Sequence, residues 1–245
     1  MTYNEFYAEC GRLFSLNSPV VRMPTEDKIA KLYKLTEIML EVNKHMNLTT
    51  ITEYPQIILK HYLDSLTISP YIPENAKVID VGCGAGFPSL PLAICRDDIR
   101  ITALDSTAKR INYIKDVAER LEVSNITAVT ARAEAYGNEP KHRESYDVAV
   151  ARAVADLPVL SELCLPLVKV GGSFAAMKAA KGEEEFTRAA MAIKKCGGSE
   201  GRLIRADITA DGSSFEKRCI IMANKVDKTP NIYPRNFAQI SKKPL

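Results

Sequence analysis

Apolar positions along the chain change their rhythm near residue 76. Before that point the spacing is helical. Ile29, Leu32, Leu35, Met39 and Leu40 share one stripe over residues 28–42, with Thr25 as a candidate N-cap and Lys28 three places after it, and residues 55–69 make a second candidate helix. From AKVIDVG onward, apolar runs of strand length alternate with helical periods. The pattern predicts strands over 77–81, 100–104, 126–130, 146–151, 172–177, 202–207 and 217–224, and helices over 87–96, 107–122, 156–169 and 183–197. Such alternation implies an α/β fold: a mostly parallel seven-stranded sheet with helices on both faces and right-handed crossovers. The expected organisation is an N-terminal helical extension over 1–70, a sheet domain over 71–227 and a basic tail over 228–245, whose three prolines argue against a regular element. The first 25 residues add little to this reading.

A length of 245 residues suits one large domain with an extension, and 46% hydrophobic with 26% charged residues is globular composition. No apolar run reaches the roughly 18–20 residues that span a bilayer. Glu5 and Glu9 stand where a signal peptide would carry Lys or Arg, so a cytoplasmic protein is expected. The six cysteines form no Cys-x-x-Cys pair and are expected to be reduced, buried thiols. A net charge of +3 identifies no polyanionic partner, but its distribution is uneven: from residue 216 on, seven Lys and Arg face only Glu216 and Asp227.

Candidate chemistry begins at VIDVGCGAGFPSL, residues 78–90, where a buried strand ending in Asp80 and Val81 is followed by Gly82, Gly84 and Gly86 and then an apolar helix. Glycines at a strand-to-helix turn let backbone approach a ligand where the helix N-terminus offers free N–H groups. A dinucleotide fingerprint would have glycine at the sixth place, where this chain has Phe87, so pyrophosphate binding is disfavoured. Pro88 suits the first turn of the following helix. About 20 residues beyond the glycines, the strand RITALD ends in Asp105, placed either to accept ribose hydroxyls, as for NAD or S-adenosylmethionine (SAM), or to cap the next helix. After the next strand, Glu134 in ARAEA is positioned to accept an adenine amino group.

Arg152 follows the strand VAVA and should emerge at the carboxyl edge of the sheet, where open α/β folds bind ligands. Its guanidinium can grip a carboxylate, a phosphate or a guanine edge, or form a surface ion pair with Asp156. In HYLDSL, His61, Asp64 and Ser65 fall on adjacent helical turns, either as a polar face toward the ligand or with His61 and Asp64 bonded to each other. Lys109, Arg110, Arg132 and Lys178 lie near the same edge and can neutralise phosphates, while Tyr233 and Phe237 beside Arg235 and Lys242 offer stacking faces for RNA. Histidines 45, 61 and 142 lack metal-ligand spacing, so no metal is expected.

The glycine loop, the acid closing the next strand and the hairpin-like end resemble class I SAM-dependent methyltransferases with a Rossmann-like sheet. The runs VNKHMNLTTIT, LKHYLDSL, IDVGCGAGFPSLPLAI, LDSTAKR, RAE, YDVAVARAVA, LCLPLV and YPR…KKPL are, in order and spacing, similar to the bacterial ribosomal RNA small-subunit methyltransferase G family, from about residue 29 to the end. The chain departs from that family at Val42-Asn43, in place of Trp-Asn, and at Asn236 to Ile240, in place of a Gly-Thr-Pro turn. The resemblance implies that residues 71–227 bind SAM, and that the enzyme methylates N7 of guanosine 527 in 16S rRNA in the decoding region, acting as a monomer on 16S rRNA or the small ribosomal subunit without membrane or metal. It places Asp80, Gly82, Gly84, Gly86, Phe87, Asp105, Ala133, Glu134 and Arg152 at the cofactor and makes Arg152 the catalytic candidate. Guanine N7 carries a lone pair and no proton, which accords with the lack of an evident base. An Asn-Pro-Pro-Tyr loop for amine methylation is replaced by Ala151, Arg152, Ala153 and Val154, and Cys164, the cysteine nearest to a C5-methylation nucleophile, lies in an apolar run.

Overall fold

The computed structural model describes residues 1–18 and 20–245. Helices α1 (Tyr3–Leu16) and α2 (Glu26–Met46) precede a helical run made of α3 (Tyr54–Ile57), a π-helical turn over Ile58–Leu63 and α4 (Asp64–Leu66). Then come β1 (Lys77–Val81), α5 (Ser89–Cys95), β2 (Arg100–Asp105), α6 (Ala108–Arg120), β3 (Ile126–Thr130), α7 (Ala133–Asn138), β4 (Tyr146–Arg152), α8 (Leu157–Cys164) and β5 (Val168–Lys178). The chain continues through α9 (Gly182–Lys195), β6 (Arg202–Arg205), β7 (Ile208–Thr209), β8 (Phe215–Glu216), β9 (Cys219–Asn224) and α10 (Phe237–Lys242).

The described residues build a seven-stranded sheet in the order β3-β2-β1-β4-β5-β9-β6, parallel from β3 to β5 and antiparallel at the β5–β9 and β9–β6 pairings. The reversal of strand order falls between β1 and β4, which is where open α/β sheets form their ligand crevice. Residues alternate between two cores. Val78, Val148, Val150 and Ala175 face the N-terminal helices with α5 and α6, whereas Ile79, Ala149, Phe174 and Ile221 face α8 and α9. Burial on both faces explains why the central strands read as continuous apolar runs.

Several elements differ from the sequence reading. Residues 3–16 form a helix that begins with a reciprocal capping box between Thr2 and Glu5 and buries Phe6, Cys10, Leu13 and Phe14. The candidate cap Thr25 does head α2, but without a side-chain cap bond. Pro88 is the residue before α5 rather than in its first turn. The helix expected over 156–169 gives way at Leu165–Leu167 to a 3₁₀ turn and then to β5, which starts four residues early. The tail also contains a helix, because its prolines at 230, 234 and 244 leave a gap that α10 fills, with the Asn236 side chain accepting from Gln239 N at 3.0 Å. All six cysteines are free and five are buried. Among the described residues no helix is long and apolar enough to cross a membrane, and no cluster of His, Cys, Asp and Glu could hold a metal ion.

Candidate functional site

β1 ends at Val81 and the chain turns at Gly82, with φ +74°, so tightly that a Cβ there would strike Val154 at 2.6 Å. The loop is fastened to β2 by Gly82 N and Cys83 N, which donate to Leu104 O at 2.8 and 3.0 Å. A Cβ on Gly84 would instead meet only the Gly82 carbonyl, at 3.9 Å, so this glycine borders open space. That space is a cavity of about 450 Å³ at the carboxyl edge of β1 to β4.

Asp105 stands on the cavity wall and also holds the loop, since its carboxylate accepts from Gly84 N at 3.0 Å and from Thr107 N at 2.8 Å. The cap position of α6 is Thr107, which excludes the capping alternative for Asp105. Arg110 approaches the same carboxylate at 3.7 Å. Ala133 and Glu134, in the first turn of α7, line the opposite side together with Arg132.

Arg152 closes the third side. Its Nη1 donates to Lys60 O at 3.0 Å and to Asp64 Oδ2 at 2.8 Å, and the guanidinium lies 5.4 Å from the Phe87 ring centre. The other Asp64 oxygen accepts from Arg218 Nε at 3.2 Å. Both sequence alternatives for these side chains are corrected: Asp156 pairs with Arg188 at 3.3 Å rather than with Arg152, and His61 does not bond Asp64. The His61 ring stacks on Phe87 at 4.4 Å, and its Nε2 lies 2.9 Å from Thr49 Oγ1. Burial and the charge of Arg152 push this histidine down to about 3, so it is neutral throughout the physiological range. The π turn carries Lys60 and His61 and α4 opens at Asp64 directly after it, so that Lys60 O and the Asp64 carboxylate both meet the Arg152 guanidinium at the end of β4.

Other expected site residues lie elsewhere. Asp80 is fully buried beneath the loop, where Oδ2 accepts from Ser89 N at 3.2 Å, Oδ1 has no partner and burial raises its pKa to about 6. Gly86 packs against Leu90 outside the lining. Ser65 is completely buried, and its hydroxyl donates to its own helix at His61 O. Lys109 is exposed on α6, outside the cavity wall. Lys178 is tied to Glu185 at 2.7 Å, and Tyr233 packs against the α8 side of the core.

Arg235 is withdrawn from the surface role expected of the tail. Its Nε and backbone N–H donate to Glu162 Oε1 at 2.8 and 2.9 Å, and its Nη2 reaches Oε2 at 2.5 Å. Glu162 is wholly buried, whereas Arg235 keeps 22% exposure. Removing the arginine would leave a buried carboxylate unpaired, and removing the glutamate lets the arginine turn to water. Arg235→Ala should therefore cost about 3–5 kcal/mol of stability and Glu162→Ala less, which the ordering of urea denaturation midpoints checks. Lys225 is likewise buried against Glu144 at 3.2 Å, and Arg218 is held by Asp64 and Glu216, so three of the seven basic groups from residue 216 on serve internal pairs.

The sequence reading did not single out Thr49, Val154 or Arg218, and it placed Phe237 on an RNA-facing tail. Phe237 in fact lines the cavity, with the Arg132 guanidinium 5.6 Å from its ring centre. Nothing local signals these roles, since each depends on a contact distant along the chain.

The family model for rRNA small subunit methyltransferase G matches residues 28–206. A ribosomal RNA small subunit methyltransferase G of Lactobacillus delbrueckii subsp. bulgaricus is 42% identical over 226 residues, 91% of this chain and 92% of the relative. Its namesake from Bacillus cytotoxicus is 44% identical over 211 residues, 85% and 87% of the two chains. A SAM-dependent methyltransferase from Aquifex aeolicus shares the fold, with a TM-score of 0.53 and 18% identity over 70% of this chain and 94% of that one.

Proposed function

The chain belongs to the rRNA small subunit methyltransferase G family, and from that premise we propose that it transfers the methyl group of SAM to N7 of guanosine 527 in 16S rRNA. The chain is a methyltransferase acting on small-subunit rRNA, and its methyl donor is SAM.

The cavity suits that donor. Asp105 offers about four lone-pair positions, of which Gly84 N and Thr107 N take two, and the remainder can accept a pair of ribose hydroxyls. Glu134 and Ala133 line the same cavity after β3, which supports a role for them at the adenine edge, and Gly84 leaves room for the ligand against bare backbone. Arg152 makes its hydrogen bonds through Nη1, which leaves the Nη2 donors for the methionine carboxylate. A clamp by Arg152 on both O6 and N7 of guanine would occupy the lone pair that reacts. Asp80, beneath the loop, holds the start of α5 through Ser89 N.

When bound, SAM supplies a methyl group activated by its positively charged sulfur. The protein's task is then alignment. Guanine N7 needs no base, His61 is too weakly basic to act as one, and holding two reactants at near-attack distance is worth roughly 7–11 kcal/mol. Arg152 is fixed from two sides by Asp64 and Lys60 O and so contributes a preset donor rather than a mobile one.

The observation that carries this reading is the convergence of Gly84, Asp105 and Arg152 on one cavity in a chain of this family. The test is transfer of labelled methyl from SAM to small ribosomal subunits lacking the modification, followed by strand cleavage at N7-methylguanine. A single cut at position 527 is the expected result. Label at another base would overturn the specificity, and label at another atom of the same guanosine would overturn the chemistry.

A further inference from the structure

A second cavity, of about 750 Å³, opens beside the first and shares His61, Arg152, Ala153 and Val154 with it. We propose that it is the acceptor pocket, holding the target nucleotide of the RNA flipped out of its strand with the reactive edge of the base against the shared wall. This rests on the methyltransferase reading above and adds where the acceptor is bound.

Position along the sheet supports it first. The residues suited to adenine and ribose follow β3 and β2, so the rest of the donor runs toward β1 and β4, where the two cavities meet. The partition is a strained turn: Ala153 adopts φ +56°, and Val154 lies close over Gly82. Left-handed backbone at a residue other than glycine is costly and is retained where surrounding structure enforces it. Here the turn separates the cavities while leaving both open to Arg152.

The lining supports it second. Ile51, Met177, Ala206 and Cys219 provide apolar surface against which a base can lie, and the volume falls within the ~300–1,000 Å³ of small-molecule sites. Lys60, Arg152, Lys178, Lys181 and Arg218 line the same space against Asp64, Asp156 and Glu185, so cations predominate. Lys178 and Glu185 neutralise each other, as do Arg188 and Asp156, and Lys60, Arg152 and Arg218 share the two carboxylates of Asp64 and Glu216. The surplus positive charge therefore sits on the Arg152, Arg218 and Lys181 side, and Lys181 has no ion pair among the described residues. A nucleotide matches this arrangement, with a flat apolar base and a negative phosphate. A base presented for chemistry must leave its stack, and a pocket of this size can receive one.

The test uses Ala180→Trp and Lys181→Glu, both at exposed positions between β5 and α9 that touch the second cavity and not the first. The indole should obstruct the pocket and lower kcat/KM for small subunits at least about 100-fold, since small displacements of reacting groups cost that much, while SAM affinity by calorimetry stays at the wild-type value. Lys181→Glu should raise KM for the subunits with SAM affinity unchanged. Wild-type kcat/KM in Ala180→Trp would overturn the assignment, and so would a parallel loss of SAM affinity, which would make the cavity part of the donor site. Label placed by the wild-type enzyme on an atom other than N7 but blocked by Ala180→Trp would keep the acceptor pocket and overturn N7 transfer instead.

Discussion

Asp105→Ala loses at least about 100-fold in SAM affinity, and with it methyl transfer at ordinary donor concentration. Two hydrogen bonds from ribose hydroxyls to a carboxylate are worth about 1.5–3 kcal/mol each, and each 1.4 kcal/mol is roughly tenfold in binding. The substitution also frees Gly84 N and Thr107 N, which the carboxylate now holds at 3.0 and 2.8 Å, so the glycine loop loses its side-chain tie to the end of β2 and keeps only the backbone bonds of Gly82 and Cys83 to Leu104 O. The fold should survive, because Gly84, Ser106 and Thr107 border the cavity and water can take the place of the lost oxygens. Asp105→Asn keeps one acceptor and should fall between the two. Calorimetric titration with SAM measures the effect, and wild-type affinity in the alanine variant would remove Asp105 from the donor site.

Arg152→Ala has the second largest expected effect, a fall of about 100-fold or more in kcat/KM for small subunits. The guanidinium borders both cavities, so its loss weakens the donor's hold and the alignment at the shared wall together. Asp64 keeps its bond to Arg218, which makes gross unfolding unnecessary to explain a loss of activity. Arg152→Lys should recover little, since one ammonium cannot reach Lys60 O and Asp64 while also presenting a fork of free donors to a ligand. Single-turnover transfer with saturating SAM separates alignment from donor affinity, and a wild-type rate there would confine Arg152 to binding.

The parallel strands were legible because residues such as Val78, Ile79, Val148 and Ala149 are buried on both faces and leave unbroken apolar runs. The glycine loop and Asp105 were legible because their positions relative to strand ends are set by local backbone. Pairings were not. Arg218 meets Asp64 across 154 positions of sequence and Arg235 meets Glu162 across 73, and charge type alone does not reveal which partner a guanidinium finds. The same limit applies to Asp80, which the family resemblance placed at the cofactor and which the structure buries beneath the glycine loop against Ser89 N. The β7–β8 hairpin was missed for another reason, since two strands of two residues each carry no period to read.

The tail illustrates how far one function can spread along a chain. Every strand of the sheet is complete by Asn224, yet Arg235 still has to find buried Glu162 and Phe237 still has to supply part of a cavity wall. A stop codon shortly after Ile232 would therefore yield a protein with an intact sheet and a breached wall in the cavity beside the glycine loop. In a genetic screen for loss of methyl transfer, nonsense alleles at codons 233–237 should be recovered alongside missense alleles in the glycine loop.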